Sequence, residues 1–305
     1  MNQPDVNHSL GTTGVWSAAL RYGDAAASAE AAAELESLGY GALWVPDVGG
    51  DLFGALENLL EATSTATIAT GILNLWMHTP EESAARYNEF VSGFGERLML
   101  GIGVSHAPLA NMLKEGQYKK PLARTTEYLD RLDEADPAVP VQHRVLAALG
   151  PKMLELAKDR TAGSHPYLVT PEHTARVRDA LGSDRLVAPE QAVVLERDPE
   201  RARFLGRTHL AGYLNLPNYS NNWKRIGFTD EDLYEGGSNR LVDALVAWGD
   251  EEAILARVQQ HRDAGADHVC VQVLTDDLLV PATTELRRLA PALIGYPAPT
   301  ALSCA

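Results

Sequence analysis

The chain has 305 residues, of which 45% are hydrophobic and 22% charged, the profile of a globular protein that can bury a large core. Its 26 Lys and Arg against 41 Asp and Glu leave a formal net charge of -15, which repels phosphate backbones and anionic lipid surfaces and argues against nucleic-acid or membrane partners. Two cysteines, Cys270 and Cys304, make neither a disulfide framework nor a CxxC metal site. Met1 to Asp5 lacks the features of a signal peptide, and no apolar run approaches the roughly 20 residues of a membrane span, so a soluble cytoplasmic protein is expected.

Short apolar runs alternate with helix-period segments along the chain, the pattern of βαβ units and a parallel sheet. Gly14 to Trp16 reads as the first strand. The alanine-rich stretch from Ala25 to Leu38 reads as a helix that Gly39 stops before a strand at Ala42 to Val45. A third strand spans Thr67 to Trp76, ahead of Thr79-Pro80-Glu81-Glu82, where Thr79 caps a helix, Pro80 takes its first position and Glu82 completes a capping box. Further strands are expected at 97–103, 143–149, 166–169, 191–196 and 268–274, before helix starts such as Gly150-Pro151, Thr170-Pro171 and Asp198-Pro199. Eight βα pairs in a chain slightly above the ~250 residues of a TIM barrel predict an α/β fold of the (β/α)8 kind, one barrel domain over 1–305. No GxGxxG follows the first strand, which argues against a dinucleotide-binding sheet. The stretch 212–239, rich in Asn, Gly and Tyr and poor in regular period, reads as an insertion over the barrel mouth, a lid.

A barrel of this kind keeps its chemistry at the C-terminal ends of its strands. The polar residues placed there are Asp47, Asn74, His78, Ser105, His106, His165 and Tyr167. Each also has a plainer reading: Asp47 as a turn residue, Asn74 as a satisfier of backbone groups, His78 as part of the helix start, His106 as an exposed loop histidine. Gly71 is either a simple bulge or a place where a planar ligand approaches the backbone. Gly150-Pro151-Lys152 presents free backbone N–H groups beside a positive charge, either a phosphate cradle or a capped helix on the rim. Trp44, Trp76 and Tyr167 suit packing as well as the walls of a flat-ligand site. The nine histidines are scattered without His-x-His or HExxH spacing, and Gly-x-Ser-x-Gly is absent, so neither a metal centre nor a serine nucleophile is expected.

Several motifs carry a family resemblance. They are Leu43-Trp44-Val45-Pro46-Asp47, Ala69-Thr70-Gly71-Ile72-Leu73-Asn74, Leu100 to Pro108, Ala147 to Met153, and His165 to Thr174. In these the chain, from Gly14 to Leu293, resembles the luciferase-like flavin and deazaflavin barrels, and within them the coenzyme F420-dependent oxidoreductases. The resemblance implies hydride transfer between coenzyme F420 and a small organic substrate. It implies that Asp47 lies at the edge of the cofactor ring, that Gly71-Ile72 forms a bulge with a cis peptide behind the ring, and that Asn74, Val104 and Ser105 contact it. Leu149, Gly150, Lys152 and Met153 would meet the cofactor's side chain and phosphate. The net charge of -15 disfavours the anionic tail of that cofactor unless Lys114, Lys119 and Lys120 form a local basic strip on the loop beyond His106. Two positions depart from the family's sugar-phosphate dehydrogenases, which carry His and Glu where this chain has Val48 and His106. That leaves His106 and Asp47 as the catalytic candidates, with either His106 as the single proton carrier or an activated alkene or imine substrate that takes its proton from water, and turns expectation away from a sugar phosphate. The alternatives are an FMN-dependent monooxygenase of the same fold and a cofactor-binding barrel without turnover. Relatives commonly form homodimers.

Overall fold

The computed structural model describes residues 10–295, and Cys304 lies outside them. Its strands are β1 (Thr13–Trp16), β2 (Ala42–Val45), β3 (Thr67–Thr70), β4 (Leu73–Asn74), β5 (Leu98–Gly103), β6 (Arg144–Leu146), β7 (Gly163–Ser164), β8 (Leu186–Val187), β9 (Glu190–Val194), β10 (Val246–Trp248) and β11 (Val269–Val273). All pair in parallel, in the order β10-β9-β11-β1-β2-β3-β5-β6-β7-β8, with β4 on β5. Only Ala188 and Pro189 separate β8 from β9, and these two lengths act as one stave that closes the barrel. On one side the Ala188 N–H bonds Ser164 O at 2.9 Å and the Glu190 N–H bonds Pro166 O at 2.9 Å; on the other the Cys270 N–H bonds Pro189 O at 3.0 Å. The expected (β/α)8 barrel is the fold observed.

Alternation along the strands sorts side chains into two cores, as the two-residue period of a strand requires. Trp16, Trp44, Ala69, Met99, Val145, Ala188 and Cys270, contributed by successive staves, fill the inside. Val15, Leu43, Val45, Ile68, Leu98 and Leu100 face outward and pack against the surrounding helices. Helix starts follow the expected capping chemistry. Thr79 Oγ1 accepts the Glu82 N–H at 3.1 Å and Thr170 Oγ1 the His173 N–H at 3.4 Å. Glu82 does not close a capping box; its carboxylate lies 3.5 Å from His78 Nδ1 instead.

Four strand expectations are corrected. The third strand is not continuous from Thr67 to Trp76: it breaks at a cis peptide between Gly71 and Ile72 and ends at Asn74. The segment 166–169 is a loop and the strand is Gly163–Ser164, because Pro166 has no N–H to give a ladder and Leu168 sits at a φ of 52°. The strand expected at 143–149 is only Arg144–Leu146, and the one at 191–196 runs Glu190–Val194 behind a separate Leu186–Val187.

Between β9 and β10 the chain is more helical than its composition suggests, with helices at Pro199–Leu210, Pro217–Arg225, Asp230–Leu233 and Asn239–Leu245. They form a core of their own, with Leu210, Tyr219, Trp223, Leu241 and Val242 packed on Ala192 and Val194 of β9. The Trp223 indole N–H bonds Leu168 O at 3.0 Å, which ties Pro217–Arg225 across the C-terminal mouth.

Candidate functional site

The C-terminal ends of β1, β2, β3, β5, β6 and β7 open into a cavity of about 330 Å³, roofed by Tyr213, Asn218 and Tyr219 from the segment after β9. That volume lies in the range of sites for drug-sized ligands. One wall is the bulge at Gly71-Ile72. Trp16 Nε1 donates to Gly71 O at 2.9 Å, and a Cβ on Gly71 would fall 2.7 Å from Trp16 Nε1 and 2.9 Å from His165 Nε2, so only glycine fits. The glycines of Gly101-Ile102-Gly103 lie inside β5 and do not open a turn. A Cβ on Gly101 would meet Thr70 O at 1.9 Å and one on Gly103 would meet Ile72 Cγ1 at 2.8 Å, so both let the bulge approach the neighbouring strand.

Asp47 is buried and fully engaged. Its Oδ2 accepts the Asn74 N–H at 3.0 Å and faces His78 Nε2 at 3.1 Å, while Oδ1 accepts the Gly49 N–H at 3.3 Å. The carboxylate thus fastens the β2 loop to the strand beyond the bulge. Burial alone would lower the His78 pKa, but the hydrogen bond and charge of Asp47, helped by Glu82, outweigh it and the net shift is upward. Asn74 is buried behind this clamp, its Oδ1 accepting the Trp76 N–H at 3.1 Å, and does not line the cavity. Val104, Ser105 and His106 do line it, with Ser105 at a φ of 50°.

His106 caps the helix Ala107–Leu113 without a side-chain capping bond, and its Nδ1 accepts from Asn218 Nδ2 at 3.4 Å. This network assigns the proton to Nε2. Burial lowers the His106 pKa, which Asn218 offsets in part, so the ring is neutral at pH 7. Leu149, Gly150 and Met153 also line the cavity, whereas Lys152, on the same helical turn, is exposed and does not. Lys114, Lys119 and Lys120 are exposed outside it, with Tyr118 between them on the wall.

The loop after β7 supplies the floor. His165 stacks on Trp44, ring centroids 4.2 Å apart and planes 12° apart, and its Nδ1 donates to Ala188 O at 2.8 Å. The tautomer is therefore fixed and Nε2 is a bare acceptor, buried and without a partner. Burial, opposed by the Ala188 bond and reinforced by His268, brings the His165 pKa down to about 4, so the ring stays neutral. Tyr167 donates to Gln272 Oε1 at 2.8 Å and stands 3.2 Å from His209 Nε2, with its ring against Trp16.

Of the positions singled out from sequence, Asp47, Gly71, Ile72, Val104, Ser105, His106, Leu149, Gly150, Met153, His165 and Tyr167 converge on one cavity. Sequence reading missed Trp16, Tyr118, Tyr213, Asn218, Tyr219 and Arg225 as wall residues. The Tyr and Asn enrichment of 212–239 was the only signal for Tyr213, Asn218, Tyr219 and Arg225. Among the described residues, no cluster of His, Cys, Asp and Glu could hold a metal ion, and no helix is long and apolar enough to cross a membrane.

A closed parallel barrel with a ligand-sized cavity at the C-terminal ends of its strands has the architecture of a TIM-barrel enzyme. The sequence matches the model of the luciferase-like monooxygenases over residues 7–268, and the chain belongs to that family. No curated protein matches the sequence. Solved structures match the fold. One is an F420-dependent secondary alcohol dehydrogenase in complex with an F420-acetone adduct, at 14% identity and a TM-score of 0.72, covering 92% of this chain and 98% of that one. The coenzyme F420-dependent tetrahydromethanopterin reductase from Methanopyrus kandleri matches at 15% identity and a TM-score of 0.74, covering 93% and 98%. The oxygenating constituent of 3,6-diketocamphane monooxygenase from Pseudomonas putida, in complex with FMN, matches at 14% and 0.65, covering 94% and 99%.

Proposed function

We propose that this protein is an oxidoreductase that binds coenzyme F420 at the barrel mouth and transfers a hydride between it and a small, uncharged organic substrate. The observation that carries the reading is the wall at Gly71-Ile72 with the bare His165 Nε2 beside it. At the bulge Trp16 and His165 occupy the place of a Cβ and bring flat rings to the wall, and a buried acceptor without a partner calls for an N–H or O–H donor. A flavin-type ring supplies both the flat face and an imide N–H, so the residues present fit such a group.

In this reading Gly71, Ile72, Val104 and Ser105 hold the ring and the Gly150 turn its side chain. When bound, the cofactor supplies or accepts the hydride. Trp16, Tyr167, Tyr213 and Tyr219 enclose the reacting face in apolar surface and exclude water. His106, with its proton on Nε2, donates a hydrogen bond to a substrate oxygen. Asp47, with its lone pairs engaged by Asn74, Gly49 and His78, holds the bulge in place and is not the proton carrier. The residues 212–239 act as the lid.

A second reading, an FMN-dependent monooxygenase, draws support from the family model and from the FMN-bound monooxygenase of the same fold. Parallel fluorescence titrations of the purified chain with coenzyme F420 and with FMN decide between them. Micromolar or tighter F420 binding with far weaker FMN binding supports hydride transfer. The opposite preference replaces it with oxygen chemistry, and binding of neither removes both.

A further inference from the structure

Three tyrosines of the mouth meet ring against ring. Their centroids lie 5.6 Å apart for Tyr167 and Tyr213, 5.1 Å for Tyr213 and Tyr219, and 6.3 Å for Tyr167 and Tyr219. Two of the hydroxyls are engaged. Tyr167 donates to Gln272 Oε1 at 2.8 Å, and Tyr213 Oη stands 3.3 Å from Tyr167 Oη. Because the one Tyr167 proton is committed to Gln272, Tyr213 is the donor in that second bond. Tyr219 differs. It is 7% exposed and lines the cavity, and among the described residues its hydroxyl has no hydrogen-bond partner. A buried phenol ordinarily finds a partner for its O–H, so an idle one in a cavity wall calls for an acceptor on the ligand.

Tyr219 and Asn218 are consecutive on the helix Pro217–Arg225. Asn218 Nδ2 donates to His106 Nδ1 at 3.4 Å, which leaves the His106 proton on Nε2, while the Tyr219 ring stands 5.5 Å from the His106 ring. Trp223 of the same helix packs against Tyr219 at 5.8 Å and is tied to Leu168. One seated helix therefore fixes the His106 tautomer and sets a second donor beside it. The two donors differ in what they can give. A neutral imidazole hydrogen-bonds an oxyanion but holds its last N–H too tightly to surrender it. A phenol, with a pKa of about 10, readily protonates an alkoxide, which is about as basic as the hydroxide formed from water of pKa ~15.7. Burial, reinforced by Tyr213 and Glu190, raises the Tyr219 pKa well above the usual phenol value, so its proton is in place at pH 7.

We propose that Tyr219 is a catalytic residue: its hydroxyl and His106 Nε2 hold one carbonyl oxygen of the substrate between them, and Tyr219 gives that oxygen its proton. In the reduction the carbonyl carbon takes the hydride, and with it two electrons, from the reduced deazaflavin. The C=O π pair moves to oxygen and takes the Tyr219 proton, and water at the mouth returns a proton to the phenolate. The proposal rests on the reading that a hydride-transferring cofactor occupies the mouth, and it adds the acid that neutral His106 cannot be. It also makes the lid part of the chemistry, because Pro217–Arg225 carries both Tyr219 and the Asn218 that orients His106.

The test compares the full-length wild type with Tyr219→Phe, using cyclohexanone as the carbonyl probe. Phenylalanine keeps the ring on Trp223 and removes no protein hydrogen bond, so the melting temperature and the fluorescence-titrated affinity for coenzyme F420 are expected to match the wild type. With oxidised F420 bound, where no turnover occurs, the carbonyl stretch of bound cyclohexanone should lie at lower frequency in the wild type than in Tyr219→Phe. With reduced F420, the variant should reduce cyclohexanone roughly 100-fold more slowly. If F420 binds but the band and the rate are unchanged by the substitution, or the wild type neither binds nor reduces cyclohexanone, the assignment of Tyr219 is wrong while the cofactor reading stands. If F420 does not bind the wild type, both fall.

Discussion

Glu190→Gln is expected to stabilise the protein, and more so as pH rises. Glu190 begins β9 with its side chain wholly buried in the barrel; Oε2 accepts the Leu168 N–H at 3.0 Å and Oε1 has no partner. Burial raises its pKa from 4.5 to about 8, against the pull of the Leu168 bond. Between those two values the folded chain holds a proton that the unfolded chain has released, so stability falls by about 1.4 kcal/mol per pH unit across that window and levels off outside it. At pH 7 the cost is about 3 kcal/mol, a sizeable fraction of the net stability of a domain. Glutamine keeps the shape and the acceptor for Leu168 and removes the ionisation. Urea unfolding followed by circular dichroism at about pH 5.5, 7 and 8.5 measures the difference between the two proteins. It should widen by about 3 kcal/mol from the lowest to the highest pH, with the wild type the weaker. Parallel profiles would refute the reasoning, since they would mean that Glu190 ionises alike in the folded and unfolded chains.

Asp47→Asn should destabilise by about 1–3 kcal/mol, chiefly on the acidic side. Because the folded His78 pKa is raised above 6.5, the pairing contributes fully below that value and is lost as pH climbs through the folded pKa. An NMR titration of His78 that is the same in both proteins would contradict this. Gly71→Ala places a methyl 2.7 Å from Trp16 Nε1 and should cost about 1–3 kcal/mol and weaken ring binding; an unchanged melting temperature would show that Trp16 and His165 yield freely. His165→Phe removes the bare acceptor while keeping a ring on Trp44, and should weaken ring binding by roughly ten-fold and, because Ala188 O loses its buried donor, cost about 1–3 kcal/mol of stability. His106→Gln should lower turnover by about 100-fold or more with ring affinity kept; turnover near wild type would make His106 a wall residue only.

The barrel was legible because most of its strands are apolar runs bounded by glycine, proline and helix caps, signals that act within a few residues. β7 hid for the opposite reason. Gly163-Ser164 carries no apolar signature, and its glycine is dictated by Leu186 O, 1.9 Å from where a Cβ would stand, a contact made across 23 positions of sequence. Its apolar neighbour Tyr167-Leu168-Val169 drew the strand expectation instead and turns out to be the loop that fills the site floor. β10 is three residues long and pairs only because β9 offers a free edge. Lys152 shows another limit: its place after Gly150 was visible, but the phase of the first helical turn, which points it to solvent while Met153 faces the cavity, is a three-dimensional fact.

The division within the site follows the same physics. Its floor and ring wall come from strand ends, where each residue's direction is set by the two-residue period and by the glycines at 71, 101 and 103. Its roof comes from Tyr213, Asn218 and Tyr219, whose positions depend on a satellite core and on the Trp223 bond to Leu168, 55 residues back along the chain. Substitutions in the floor should therefore act on ring binding and barrel stability together, whereas substitutions on the roof can change substrate choice while the barrel stays intact. The selectivity of this protein among small substrates is expected to reside in those three side chains and in His106, to which Asn218 connects them.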